Sequence, residues 1–483
     1  MNFVSRRSFV GGGLAIAGAT ALPLPALGAA VRANRARAFA DTVGIVTHAH
    51  WGGTIWSSTD WESLFLETGV MNTRGKVGRG TGGKAALADL QKLFVRGVKI
   101  CATVSDQSSG LDRVGTKANL DFLANSVGAQ NLSGIESANE YSNPSTRPAD
   151  WAAQLRSFHQ WLYDTVRSYP TFNSVPVVAP SIWGRLTWDY NALGNLEPKV
   201  DRGCLHYYTA GRRPSIAGSP SSRNPLGDNG TFYYMADAIR EAKVLAPTKA
   251  MYITEYGHPI SGPNSPLSGY IITETAAAKY LPRGLLDAFA NGIEKTNIYS
   301  LIDDVKRSKY HGLLDGSLRR RLTFYAVKNM MSLFADTGTA FSPGTLDYTL
   351  SNLTGTIKQQ LFQKSDGTFL LTLYQDVDSY DRANKRDAII APVSVGLSLG
   401  QSATIQVFTP SIGAAATKIV SGVNALTIPV GDHVTVVSIK TAGGLLSGSS
   451  TTRTTSGTTS GSTTTSSQSP TRDPFEFRVP PPQ

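Results

Sequence analysis

Leu132-Ser-Gly-Ile-Glu-Ser-Ala-Asn139-Glu140-Tyr141 is a short, mostly apolar run that closes on an Asn-Glu pair; Ala250-Met-Tyr-Ile-Thr-Glu255-Tyr-Gly-His258 repeats the form and closes on a single carboxylate. Runs of this length, bounded by turn residues, read as buried strands. Between them the chain has room for about three strand–helix units, which makes the two runs strands four and seven of a βα repeat.

Working outward, the other strand candidates are Val43–Thr47, Val70–Arg74, Val98–Val104, Val175–Pro180, Gly203–Tyr208 and Asn297–Ile302. With the first two runs, here Leu132–Ile135 and Ala250–Thr254, they supply the eight strands that a closed (β/α)8 barrel requires. The intervening segments have helical period. In Asp150–Ser168, Trp151, Leu155, Phe158, Leu162 and Val166 recur every three or four positions behind an Asp150 suited to the N-cap. Gly69 and Gly97 follow apolar-periodic stretches as helix stops. The last such helix, Arg319–Phe334, opens on three arginines that read as a solvated face.

The pattern changes after Asp336. Phe369–Tyr374, Ala388–Val393, Ala403–Phe408 and His433–Ile439 are short strand-like runs without helical period, as expected of an antiparallel β-sandwich. The fold class is therefore α/β: a (β/α)8 TIM barrel over 41–336 and a small β-sandwich over 337–442. Residues 443–483 are Ser, Thr and Gly with few apolar side chains, too few to form a core.

Residues 1–30 read as an export signal. Ser5-Arg6-Arg7-Ser8-Phe9 precedes an apolar stretch from Val10 to Leu27, and Gly28, Ala29 and Ala30 follow. Paired arginines before mild hydrophobicity are the form of a twin-arginine signal, which implies the twin-arginine translocase as partner and a periplasmic or extracellular destination in a prokaryote. No stable membrane insertion is expected after processing. The net charge of +11 is inflated by five arginines in the first 40 residues, and no basic run interleaved with aromatics suggests nucleic acid. The remaining mild excess weakly favours anionic glycans. Cys101 and Cys204 fall on separate strands and read as buried thiols.

Alternation within strands places the polar candidates. Met251, Ile253 and Glu255 share one face; if the first two fill the barrel, Glu255 stands at its C-terminal mouth, where such barrels carry their sites. Cys204, His206 and Tyr208 share a face in the same way. Two carboxyls facing each other across a cleft are what acid-assisted cleavage of a glycosidic bond needs. Trp51, in His48-Ala-His50-Trp51, and Trp183, in Ser181-Ile-Trp183, offer rings for the apolar faces of sugars, although Trp183 reads equally as packing. His48 and His50 read as hydroxyl-binding or structural residues; no metal and no cofactor is expected.

Asn139-Glu140 closing strand four and Glu255 closing strand seven resemble the motifs of glycoside hydrolase clan A, the retaining (β/α)8 hydrolases. The resemblance extends to Arg74 at the end of strand two, to His206 and Tyr208 on strand six, and to Tyr310-His-Gly-Leu-Leu-Asp315 before the last helix. It implies that Glu140 is the acid and then the base, that Asn139 holds the neighbouring sugar hydroxyl, and that Glu255 is the nucleophile. Arg74 and Tyr208 would keep Glu255 ionised. One departure stands out: many clan members carry a Trp at the end of strand eight, where this chain has Tyr299 and Asp303 as alternatives. Glu136 reads as a structural ion pair. The implied function is a secreted retaining glycosidase with a carbohydrate substrate. A non-catalytic glycan-binding barrel and a surface or matrix protein are the other classes compatible with the composition.

Overall fold

The computed structural model describes residues 30–51, 54–78, 81–106, 110–183, 187–216 and 234–441. The expected signal, apart from Ala30, and the Ser/Thr-rich stretch 443–483 lie outside the described residues.

Eight parallel strands form the barrel: β1 (Val43–Val46), β2 (Asn72–Lys76), β3 (Lys99–Asp106), β4 (Leu132–Asn139), β5 (Val177–Val178), β6 (Gly203–Tyr208), β7 (Met251–Gly257) and β8 (Ile293–Ile298). They pair in the order β5-β4-β3-β2-β1-β8-β7-β6. The circle is completed where Ala179 donates to the Arg202 carbonyl and Asp201 to the Val177 carbonyl, each at 2.9 Å. The helices cover the outside because one stripe of each is apolar: in Trp151–Arg167, Trp151, Leu155, Phe158, Leu162 and Val166 are all buried. Gly97 follows the helix Thr81–Phe94 with φ 83°, a left-handed stop that other residues adopt at a cost.

Several sequence expectations change. Strand eight runs from Ile293 to Ile298, not from Asn297 to Ile302. Its first turn carries Glu294 and Lys295, which disguise it; Lys295 Nζ reaches the Asp41 carbonyl at 2.5 Å. The last helix starts at Leu322, and Arg321 is buried rather than solvated, paired with Asp303 (2.5 Å) and Glu274 (3.2 Å). Asp150 makes no N-cap bond; its carboxylate accepts instead from Gln154.

The second unit of architecture is antiparallel: β9 (Thr345–Ser351), β10 (Ile357–Gln363), β11 (Phe369–Gln375), β12 (Val393–Phe408), β13 (Lys418–Val430) and β14 (Thr435–Thr441). One half of β12 pairs with β9 and the other with β14, so the strand passes between two layers that enclose Leu371, Leu373, Leu397, Ile405 and Ile439. Ala388–Val393 is a loop up to Val393: Ile389 is fully exposed and Pro392 has no N–H for a ladder. Ala30–Arg32 pairs with β9, and Asn34–Arg35 with β10, so residues ahead of the barrel belong to this sheet.

β11 is buried on both faces. Phe369, Leu371 and Leu373 join the sandwich core, while Leu370 and Tyr374 join the barrel's core with Phe362, Val434 and Val436. Arg283, on the helix Glu274–Ala290, is fully buried beneath this contact. It donates to the Val377 carbonyl (2.8 Å) and Ser379 Oγ (3.1 Å), and pairs with Asp376 at 3.3 Å. Arg283→Ala removes a fully buried side chain with its hydrogen bonds and strips the partly buried Asp376 of one partner, and should destabilise the protein by about 3 kcal/mol. Arg319→Ala, which removes a 57% exposed side chain, should change stability by under about 1 kcal/mol. Denaturant midpoints of the two variants provide the check, and equal midpoints would mean that the barrel–sandwich contact contributes little.

Candidate active site

Arg74, on β2 and almost fully buried, organises the mouth of the barrel. Its Nε and Nη2 grip Glu136 at 2.7 and 2.8 Å, its Nη1 donates to Glu255 Oε1 at 2.7 Å, and Nη2 also reaches Asn139 Oδ1 at 2.6 Å. Glu136 is wholly buried and is the counter-charge that fixes the guanidinium; Thr103 and Thr254 stand beside it at 3.4 Å. Tyr208 Oη donates to Glu255 Oε2 at 2.7 Å.

Alternation along β7 does not place Glu255. Tyr252 and Thr254 are the inward residues: Tyr252 Oη crosses the barrel to the Ser133 carbonyl, and Thr254 Oγ1 meets Cys204 Sγ at 3.0 Å. Both neighbouring ladders slip here, with Leu205 opposite Ile253 but His206 opposite Glu255, and Thr296 opposite Ile253 but Ile298 opposite Tyr256. One extra residue in β7 turns Glu255 inward as well, the re-aiming that a β-bulge performs. Met251 and Ile253 therefore do not share its face. On β6 the expected alternation holds, with Cys204, His206 and Tyr208 all facing in and Tyr207 bonded outward to Pro214.

Glu140 follows β4 with φ 51°, a left-handed conformation uncommon for Glu and the kind of strain concentrated at functional positions. Its N–H is held by Ser181. Its Oε1 lies 2.8 Å from His206 Nδ1, which is also 3.6 Å from Glu255 Oε2. One ligand atom from each of Glu140, His206 and Glu255 lies within 4.8 Å of the others. Such a triplet, like Glu136, Cys204 and His206 below it, has the chemistry to hold a cation. Arg74 already brings positive charge to Glu136 and Glu255.

Burial alone would push the Glu255 carboxyl up, but the facing His206 and Arg74, with hydrogen bonds from Tyr208 and Arg74, outweigh it and hold it at about 2. Burial would lower His206, and the two glutamates overcome that and raise it. The arrangement can therefore present one firmly ionised carboxylate opposite a second carboxyl in contact with an imidazole.

All ten expected site residues line one cavity of about 580 Å³: His50, Trp51, Arg74, Asn139, Glu140, Trp183, His206, Tyr208, Glu255 and Tyr299. One of them differs from expectation. Trp51 has His48 stacked on it at 3.9 Å and the Arg307 guanidinium 4.9 Å from its ring centre, so its faces are taken within the protein. Burial, then the neighbouring His50, lowers His48 to about 3, which leaves it uncharged. Of the two strand-eight alternatives, Tyr299 lines the cavity, whereas Asp303 is buried with Arg321 and bonded to the Gly312 N–H at 2.7 Å.

Lys76, Tyr270, Arg307, Lys309 and His311 also line the cavity, and sequence reasoning missed them. Three of these lie on the segment after β8, which folds back through the Asp304–Lys309 and Ile302–Leu314 bridges. The available signal was position: segments leaving the C-terminal ends of barrel strands form the mouth.

No protein-family model matches the chain, and no curated protein matches it. Solved structures do. A family 39 glycoside hydrolase from the gut symbiont Bacteroides cellulosilyticus WH2 aligns with TM-score 0.57 and 13% identity over 83% of this chain and 81% of its own. The GH39 enzyme from Xanthomonas axonopodis pv. citri gives 0.53 and 12% over 85% and 95%, and a glucosidase from Croceicoccus marinus 0.57 and 10% over 86% and 98%. These spans are too long for the barrel alone. The chain shares with these glycoside hydrolases the architecture of a (β/α)8 barrel followed by a β-sandwich, and the resemblance carried by its motifs extends to the whole fold.

Proposed function

We propose that the protein is a secreted retaining O-glycoside hydrolase acting on a poly- or oligosaccharide. The observation that carries this reading is the pair of carboxylates at one barrel mouth, their oxygens within 4.8 Å and one held ionised by Arg74, His206 and Tyr208. Retention requires carboxyl groups about 5–5.5 Å apart, whereas inversion needs about 6.5–9.5 Å to admit a water.

In the first step a Glu255 oxygen attacks the anomeric carbon, the bond to the leaving oxygen breaks, and that oxygen takes the Glu140 proton. Each Glu255 oxygen accepts one protein hydrogen bond, so a lone pair remains for attack. In the second step the Glu140 carboxylate removes a proton from water, the water oxygen bonds to the anomeric carbon, and Glu255 is released. His206 holds the Glu140 oxygen in line for both proton transfers. Trp183 lines the cavity without a ring partner among the described residues and suits the sugar platform better than Trp51. Hydrolysis of a glycan panel, with the anomer of the first-formed product followed by NMR, tests the reading; an inverted product or no turnover would refute it.

Export through the twin-arginine route belongs to the same proposal. Lys at both Arg6 and Arg7 should block it, because the translocase reads arginine and not charge alone. Fractionation of cells expressing the double variant should show the protein retained in the cytoplasm; normal release would mean that another pathway carries it.

A further inference from the structure

Resting on the hydrolase reading, we infer that the substrate is an anionic glycan, with a carboxylate- or sulfate-bearing sugar held at the rim of the cavity.

Among the described lining residues the only acids are Glu140 and Glu255, the reacting pair. Arg74 is fully committed to Glu136, Glu255 and Asn139. The exposed lining cations are Arg307 and Lys309. Arg307 pairs with Asp304 at 3.1 Å yet is 62% exposed. Lys309 is exposed and has no carboxylate within ion-pair distance among the described residues.

Tyr270 lines the cavity as well, with the Arg382 guanidinium 5.7 Å from its ring centre and fixed by a bond to the Gly269 carbonyl at 2.6 Å. Arg212 stands close by; burial and then the Arg382 charge hold it below the usual arginine range, despite the opposing charge of Asp378. Cations gathered in and beside a concave, partly apolar mouth focus a positive potential over it. A neutral sugar gains nothing from that field. A uronate or sulfate ester gains directional hydrogen bonds from Lys and Arg and a faster encounter.

Matched oligosaccharides in neutral, uronate-bearing and sulfated form provide the test on the full-length protein. The charged member of a set should show kcat/KM higher by about tenfold, an advantage that shrinks in about 0.5 M NaCl. Lys309→Gln should cut the advantage through KM, leaving kcat nearly unchanged. The uronate and sulfate arms show which anion is read. Equal or better turnover of the neutral member would overturn the inference while leaving the hydrolase reading intact. If nothing is turned over, calorimetry with the same panel decides: charge-selective binding would sink the hydrolase reading alone, and indifferent or absent binding would sink both.

Discussion

Replacing Glu255 with Gln is expected to lower kcat/KM by at least about four orders of magnitude while the protein stays folded. The amide has nearly the same shape but lacks the charge that Arg74, His206 and Tyr208 stabilise, and it cannot form the covalent intermediate. Arg74 keeps its fork to Glu136, so the substitution does not leave a buried cation alone. Rates on a hydrolysed glycan and a thermal melt of the same sample give the answer. Near wild-type turnover in folded Glu255→Gln would remove the nucleophile assignment and with it the double-displacement reading.

Glu140→Ala should separate substrates by leaving group. A leaving group stable as an anion needs no proton in the first step, so its glycosyl-enzyme should still form, while poor leaving groups should lose about two to four orders of magnitude. The second step then lacks its base, and added azide, which needs none, should restore turnover and yield a glycosyl azide of retained configuration. The rate ratio between good and poor leaving groups, with and without azide, reads this directly. An equal loss on both and no azide rescue would show that Glu140 acts through structure and not as an acid and base. Because His206 Nδ1 touches Glu140, its loss also removes one acceptor from a buried imidazole, and a melt of the variant separates that effect from chemistry.

The barrel was legible because its signals are local. Apolar runs bounded by turn residues located seven of the eight strands closely, and the period of Trp151, Leu155, Phe158, Leu162 and Val166 described the face that the helix buries. Strand eight was displaced because Glu294 and Lys295 make its start look like a loop, although Lys295 is spending its charge on a neighbouring backbone carbonyl. Strand β5 shows the opposite limit: its ladder is only Val177–Val178, and the closing bonds to Asp201 and Arg202 depend on the circle having formed. The sandwich was less legible. Its strands pair across long separations, its edges come from residues 30–35, and β11 lacks alternation because both its faces are covered.

The sequence by itself determined the kinds of residue at the site and the end of the barrel where they gather. Period-two strands and period-3.6 helices are written in neighbouring residues, and a parallel barrel collects its strand ends at one mouth. Only the tertiary structure decided how those residues face one another. The bulge in β7 turns both Thr254 and Glu255 inward, against the parity that alternation implies. The Arg74 fork joins residues from β2, β4 and β7, and the segment after β8 brings Lys309 and His311 over the cavity. These depend on register between strands far apart in the chain and on a ring that closes as a whole, and no short stretch of residues carries that information.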